Sequence, residues 1–188
     1  MSIGILAVQG AFAEHAAVLD RLGADHFEIR RRRDLDRPLD GLILPGGEST
    51  VMGKLLRDLG LFEPLRKRIA AGLPVFGTCA GLILLARTVA GGVPCFGTMD
   101  ISVQRNGYGR QLGSFFTEAP VRGIGTVPMT FIRAPYIISV GPEVQVLAQV
   151  EGRIVTASQG NQLVTAYHPE LSNDRSVHEH FLHLMEAQ

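Results

Sequence analysis

Apolar and polar residues follow two different rhythms along this chain. In the first half, short apolar runs at Ile3 to Val8, Gly41 to Leu44 and Val75 to Gly77 are bounded by glycine or proline. Such runs predict strands buried on both faces, as in a parallel sheet. Between them the period lengthens to that of a helix. Glu14 to Leu22 carries apolar residues at Ala17, Val18 and Leu22, with Gly23 just beyond as a stop signal. Thr50 to Leu59 and Pro64 to Ala71 read the same way, the second with a proline at its tolerated first turn and an end near Gly72. The first half is a repeated βα pattern.

After Gly91 the rhythm shortens. Val, Ile, Thr and Phe concentrate in segments spaced by Gly and Pro, at Thr98 to Val103, Thr126 to Ile132, Ile137 to Val140, Val144 to Val150, Arg153 to Ser158 and Leu163 to Tyr167. These predict strands, with antiparallel additions to the sheet. Ser176 to Glu186 closes the chain as a helix, with Ser172, Asn173 or Ser176 as its cap. The stretch between Glu118 and Pro128 carries no distinctive motif. No linker or repeat interrupts the pattern, so residues 1–188 are expected to form a single domain.

Composition narrows the class of function. Hydrophobic residues make up 46% and charged residues 19%, with a net charge of zero, a globular balance with no global field to draw nucleic acid or anionic lipid. Apolar stretches such as Leu82 to Ala86 are too short to span a bilayer. Cysteine occurs twice, at Cys79 and Cys95, and Ile3 to Val8 runs straight into a first strand with no signal peptide expected before it. A cytoplasmic, reducing location is the expectation.

Three segments carry candidate chemistry. Val75-Phe76-Gly77-Thr78-Cys79-Ala80-Gly81-Leu82 passes from apolar strand to apolar helix through Gly-x-Cys-x-Gly, the cysteine counterpart of a nucleophile elbow. A sharp turn there lifts the sulfur above the strand's carboxyl end, beside a helix N-terminus whose positive potential favours negative charge. Val164-Thr165-Ala166-Tyr167-His168-Pro169-Glu170 ends an apolar strand in His-Pro-Glu. Extended residues two apart share a face, so Glu170 can hold one imidazole nitrogen while the other exchanges protons with Cys79. Leu42-Ile43-Leu44-Pro45-Gly46-Gly47-Glu48-Ser49-Thr50 is another strand-to-helix junction, whose paired glycines can aim a backbone N–H at an oxyanion, with Ala80 N–H as the second donor. A Gly-Gly turn with Ser49 or Thr50 as an ordinary helix cap is compatible with the same residues.

Pro-Gly-Gly-Glu-Ser-Thr, Gly-Thr-Cys-Ala-Gly and His-Pro-Glu, in this order, resemble the class I (triad) glutamine amidotransferases. Ala7-Val8-Gln9-Gly10-Ala11-Phe12-Ala13-Glu14-His15, Gln104-Arg105-Asn106 with Gly109-Arg110-Gln111, and Phe131-Ile132-Arg133-Ala134-Pro135 are similar to the glutaminase subunits of pyridoxal 5'-phosphate synthase. The resemblance implies a flavodoxin-like α/β fold: a three-layer open sheet, mostly parallel, with the antiparallel additions in the second half. It implies hydrolysis of L-glutamine to glutamate and ammonia, with the ammonia passed to a separate synthase subunit, and no cofactor of the glutaminase's own. Cys79 is then the nucleophile that forms a thioester, His168 the acid and base, and Glu170 its partner, with the Gly47 and Ala80 amides as oxyanion hole. Gly47, Glu48, Ser49, Arg105, Ile132 and Arg133 surround the glutamine, where a forked guanidinium suits its carboxylate. Gln9 and Gly46 lie at the oxyanion loop and the synthase-facing surface, and docking of the synthase is expected to switch the enzyme on by turning the Gly46-Gly47 peptide.

Other features point elsewhere or nowhere. Arg30 to Arg33 are followed by Asp34, Asp36 and Asp40 and read as a solvated edge. Of His178, His180 and His183 only the last two share a helix face, and no metal site is expected. Cys95 lies in a loop without an activating base and reads as structural. Gln9-Gly10-Ala11 stands where a dinucleotide fingerprint would follow the first strand, so no nicotinamide or flavin is implied. The elbow and His-Pro-Glu do not name the ammonia acceptor. A glutaminase serving imidazole glycerol phosphate synthase is the nearest rival, and a catalytically silent binding module on the same fold is the rival of another class.

Overall fold

The computed structural model describes residues 1–108 and 113–186. Gly109-Arg110-Gln111 therefore lies outside the described residues. The chain opens with β1 (Ile3–Leu6), α1 (Phe12–Leu22), β2 (His26–Ile29), β3 (Gly41–Leu44), α2 (Ser49–Asp58), α3 (Phe62–Ala70), β4 (Val75–Thr78) and α4 (Ala80–Leu85). All residues of β1, β3 and β4 are buried, which is why they are unbroken apolar runs rather than alternating ones. Gly23 ends α1 in the left-handed region at φ 65°, the conformation its lack of a Cβ permits.

The second half contributes β5 (Ala86–Ala90), β6 (Met99–Gln104), β7 (Ser114–Val121), β8 (Gly125–Ile132), β9 (Tyr136–Val140), β10 (Gln145–Val150), β11 (Arg153–Gln159), β12 (Gln162–Thr165) and α5 (Ser176–Glu186). Among the described residues, ten strands form one sheet in the order β2-β1-β3-β4-β12-β11-β9-β6-β5, with β10 attached to β11. The first five in that order pair in parallel. From β12 onward the pairing with β11, and of β11 with β9 and β10, is antiparallel. β7 and β8 form a separate two-stranded ribbon.

β12 is the strand that makes the site possible. It is the last strand in sequence but lies beside β4 near the middle of the sheet, with Thr165 opposite Thr78. That register delivers the segment after Thr165 and the segment after Thr78 to the same sheet edge, where open α/β sheets bind their ligands.

The layers follow from alternation along β4. Phe76 packs on Phe181 of α5, with ring centroids 5.7 Å apart, and Thr78 lies 3.1 Å from His15 of α1. Gly77, between them, faces the other way, where an added Cβ would lie 2.8 Å from the Gly81 carbonyl carbon of α4. The sheet is thus sandwiched between α1 and α5 on one face and α4 on the other, and α2 packs with α3 and α4. This is the mostly parallel, three-layer class expected of the sequence.

Several local expectations change. The apolar run Leu82 to Ala86 is divided, because Ala86 turns extended at ψ 136° and starts β5. Asp174, rather than Ser172, Asn173 or Ser176, accepts the first amide of α5, from Ser176 N–H at 2.9 Å. Ser49 and Thr50 do not cap α2; Glu48 occupies that position without a side-chain bond, and Ser49 is the first helical residue. β12 ends at Thr165, short of the expected Tyr167. β2, β5 and β7 had no counterpart in the sequence pattern; β2 alternates over four residues, too few to stand out.

Candidate active site

Cys79 joins β4 to α4 in a conformation that a side-chain-bearing residue rarely adopts, φ 48° and ψ −98°. Such a backbone costs about 1–3 kcal/mol and persists only where its surroundings over-determine it. Here Cys79 N–H donates to Thr165 O at 2.8 Å, tying the elbow to the end of β12. Gly81 packs against β3 so closely that a Cβ there would lie 2.0 Å from Leu44 O. Strand pairing on one side and helix packing on the other leave the chain no alternative path, and the sulfur is held at the strand tip.

The His-Pro-Glu segment reaches Cys79 by a different backbone from the one expected. His168 does not continue an extended strand; it precedes a 3-10 turn over Pro169–Leu171. Its amide donates to Thr130 O of β8 at 2.9 Å, so the ribbon positions the imidazole. The turn swings Glu170 back under the ring, and Oε1 accepts from His168 Nδ1 at 2.7 Å. Glu170 thereby takes Nδ1 and leaves Nε2 for the sulfur.

The electrostatics follow from burial. Burial alone would lower the pKa of His168, but the Cys79 sulfur and the Glu170 carboxylate beside the ring outweigh it and raise the value to about 10. Burial pushes the Glu170 carboxyl up, while His15 and then His168 pull it further the other way, below its ordinary value. At neutral pH the imidazole is protonated, with the Glu170 carboxylate on one side and the Cys79 sulfur on the other.

A crevice of about 710 Å³ opens over these groups. Its lining includes Cys79 and His168, the β3–α2 junction residues Gly46, Gly47, Glu48 and Ser49, and Gln9, Arg105, Ile132 and Arg133 from three other segments. Ala80, 1% exposed, and Glu170, 5% exposed, are not among the lining residues. Glu170 stands behind His168, while the contribution expected of Ala80 is a backbone one. Arg133 adopts φ 44° and its guanidinium lies 3.6 Å from the Glu48 carboxylate. These two, with Arg105, give the crevice both signs of charge, as the carboxylate and ammonium of an amino acid require.

The Gly46-Gly47 loop is shaped by its neighbours. Gly46 O accepts from Ala11 N–H at 3.0 Å, and Gln9 Oε1 accepts from Glu48 N–H at 2.8 Å. Because a trans peptide sets C=O and N–H on opposite sides, the Gly47 N–H is directed away from Ala11. A Cβ on Gly46 would lie 2.2 Å from His168 Cε1, so only glycine lets the loop approach the imidazole.

The structure also brings in residues to which the sequence pattern gave no role. Tyr108 lines the crevice, its ring packed against both Phe115 and Phe131. His15 and His178, from opposite ends of the chain, meet at 2.9 Å behind Glu170. In the sequence His178 stands only beside its helical neighbours, and no spacing on α5 reports a partner on α1. Cys95 is half-buried and burial raises its thiol pKa against the pull of Arg57, consistent with a packing role. Among the described residues no group of three or more acids, cysteines or histidines is placed to hold a metal, and no helix is long and apolar enough to cross a membrane.

The model of the SNO glutamine amidotransferase family matches residues 5–187. The chain is 60% identical over 185 residues to a pyridoxal 5'-phosphate synthase subunit PdxT from Methanocorpusculum labreanum, covering 98% of each. It is 57% identical over 188 residues to the subunit of the same name from Streptococcus pneumoniae, covering 98% of this chain and 97% of the relative. A crystal structure of a glutamine amidotransferase superposes with a TM-score of 0.93 at 42% identity, covering 98% of both chains. A glutamine amidotransferase from Thermotoga maritima superposes with a TM-score of 0.64 at 14% identity over 99% of this chain and 82% of its own, a likeness of fold alone.

Proposed function

The chain belongs to the SNO glutamine amidotransferase family, and from that membership we propose that Cys79, His168 and Glu170 hydrolyse glutamine as a nucleophile, an acid-base and its orienting carboxylate. The protein is the glutaminase subunit of pyridoxal 5'-phosphate synthase, releasing ammonia for a synthase partner, as its relatives' name implies at 56–60% identity. The observation that carries the triad is the 2.7 Å bond from His168 Nδ1 to Glu170 Oε1 on an imidazole that shares its crevice with an elbow cysteine.

The steps follow from the placement of these groups. Glutamine enters with its α-carboxylate toward Arg105 or Arg133 and its ammonium toward Glu48. With its proton resting on His168, Cys79 Sγ attacks the side-chain carbonyl carbon, and the resulting oxyanion is held by the Gly47 and Ala80 amides. Protonated His168 gives its proton to the amide nitrogen, the C–N bond breaks, and ammonia leaves behind a γ-glutamyl thioester. His168, now neutral, takes a proton from water as it attacks the thioester. Glutamate departs, the sulfur is restored and the imidazole is again protonated. Residues 1–188 act as one glutaminase domain, and their place of work is the cytoplasm, a location supported by two free cysteines.

Activation by the synthase acts at the Gly46-Gly47 peptide, held from Gln9 and Ala11 rather than by its own strand and helix. The test is glutamate release by the purified chain, with and without the synthase subunit and with Cys79→Ala as blank. Stimulated, Cys79-dependent release is expected. Release that is Cys79-dependent but indifferent to the synthase would break the activation proposal, and release by Cys79→Ala would overturn the triad.

A further inference from the structure

Behind Glu170 lies a polar cluster that the three-residue mechanism leaves unused. His15, fully buried on α1, sets Nε2 3.1 Å from Thr78 Oγ1 and 3.6 Å from Glu170 Oε2. Its Nδ1 lies 2.9 Å from Nε2 of His178, which is also fully buried. Glu170 Oε1 is committed to His168, while Glu170 Oε2 and His178 Nδ1 have no hydrogen-bond partner among the described residues. Two imidazoles in a core are costly unless their donors and acceptors are matched.

The matching fixes the direction of the protons. If His15 carried its proton on Nδ1, it would donate to His178 Nε2, and two faults would follow. His15 Nε2 would present a lone pair toward a carboxylate, and His178 would keep a buried Nδ1–H with nothing to accept it. In the opposite arrangement His178 Nε2–H donates to His15 Nδ1, and His15 Nε2–H faces Thr78 Oγ1 and Glu170 Oε2. The orphan is then only a lone pair on His178. Burial lowers the pKa of both rings, which keeps them neutral and fits this arrangement.

We propose that His15 is a positioning residue for the Glu170 carboxylate, aimed by His178, so that the constellation behind Cys79 extends through two further residues. The 3.6 Å separation closes to a hydrogen bond with a small turn of the carboxylate. His15 also spans the two arms of the site, since Thr78 is bonded to Cys79 and Glu170 to the turn that follows His168. This inference rests on the triad reading above.

The experiment is steady-state glutaminase kinetics of the synthase complex carrying His15→Met, which fills the volume without a donor, and His15→Gln, whose amide nitrogen reaches the Nε2 position. Each is also placed in a Glu170→Gln background. His15→Met is expected to lower kcat roughly 10- to 100-fold with KM for glutamine within about twofold, on the scale of outer hydrogen-bond partners of catalytic groups. His15→Gln is expected to regain most of that loss, and His15→Met to add almost nothing once Glu170 is Gln. A kcat for His15→Met within twofold of the parent overturns the proposal. So does equal impairment of Met and Gln variants with losses that multiply in the Glu170→Gln background, the pattern of a packing role. If His15→Met does not fold, His15→Gln and His178→Met replace it. Retained kcat in His178→Met then overturns the aiming role. Turnover in Cys79→Ala would sink the triad itself, whereas Cys79-dependent turnover indifferent to His15→Met would sink only this inference.

Discussion

Two strand-to-helix junctions, after the neighbouring strands β3 and β4, line the crevice and are held by different means. At the β4–α4 junction the constraints are main chain and close packing: Cys79 at φ 48°, its amide on Thr165 O at 2.8 Å, and Gly81 pressed against Leu44 O. At the β3–α2 junction, Gly46 and Glu48 are held by Ala11 N–H at 3.0 Å and by the Gln9 side chain at 2.8 Å. The first has one conformation available. The second has the conformation that residues 9–11 allow it, and those residues border the crevice. Cys79 is the fixed point of the site, and under the proposed activation the Gly46-Gly47 loop is the part a docked synthase adjusts.

The sharpest break of this contrast is at the fixed junction. Cys79→Ala should remove glutaminase turnover by roughly 10⁶-fold, the scale for loss of a catalytic nucleophile, with fold and synthase docking retained because one small side chain is deleted. Circular dichroism and co-elution with the synthase check the second half of that statement. Glu170→Gln should be milder by about 100-fold, since an orienting acid acts through alignment rather than bond making. A Glu170→Gln variant as fast as the parent would remove Glu170 from the mechanism.

The same pair leaves a signature in stability. His168 titrates near 6.5 when unfolded and is raised to about 10 in the folded chain, so protonation favours folding. Its contribution is complete below pH 6.5, declines as pH rises, and is gone once pH passes about 10. The difference in unfolding free energy between the parent and His168→Asn should therefore narrow across that window in denaturant titrations. A difference that stays constant from pH 6 to 10 would mean that the imidazole is not held by charged partners.

How much of this was readable in the chain differs between the two junctions as well. Gly77-Thr78-Cys79-Ala80-Gly81 states its own geometry, because small residues around a cysteine between apolar segments leave one way to turn. His-Pro-Glu announced the pair but not the means; Pro169 starts a 3-10 turn after His168 instead of extending a strand. The grip of Gln9 on Glu48 spans 39 residues and the meeting of His15 with His178 spans 163. Periodicity reports on neighbours three or four residues away and is silent on such contacts. β7 is illegible in the pattern for a related reason: it pairs with β8 outside the main sheet, and its exposed positions, such as Phe116 at 61%, blur the alternation.

The adjustable junction can be stressed sterically. Gly46→Ala sets a methyl 2.2 Å from His168 Cε1, and either the ring or the loop must shift. A displacement of about 1 Å costs on the order of 10²-fold in rate, so kcat should fall by that order while Cys79 still reacts with iodoacetamide. If kcat is unchanged, the loop does not approach the imidazole as closely as the contrast requires.

Gln9→Ala should have the smallest effect and the most specific one. It removes the acceptor for Glu48 N–H, a hydrogen bond with a net value of about 1 kcal/mol, or roughly fivefold in an equilibrium. Synthase-stimulated kcat should fall by about that factor, because the loop less often presents the Gly47 amide to the oxyanion. The rate of iodoacetamide capture at Cys79 should stay at the parental value, because nothing at the β4–α4 junction depends on Gln9. Loss of both together would mean that the two junctions move as one unit, and that Cys79 is no more fixed than the loop beside it. Loss of neither would place the control of Gly46-Gly47 in Ala11 N–H alone, a main-chain contact that no side-chain substitution at position 9 can reach.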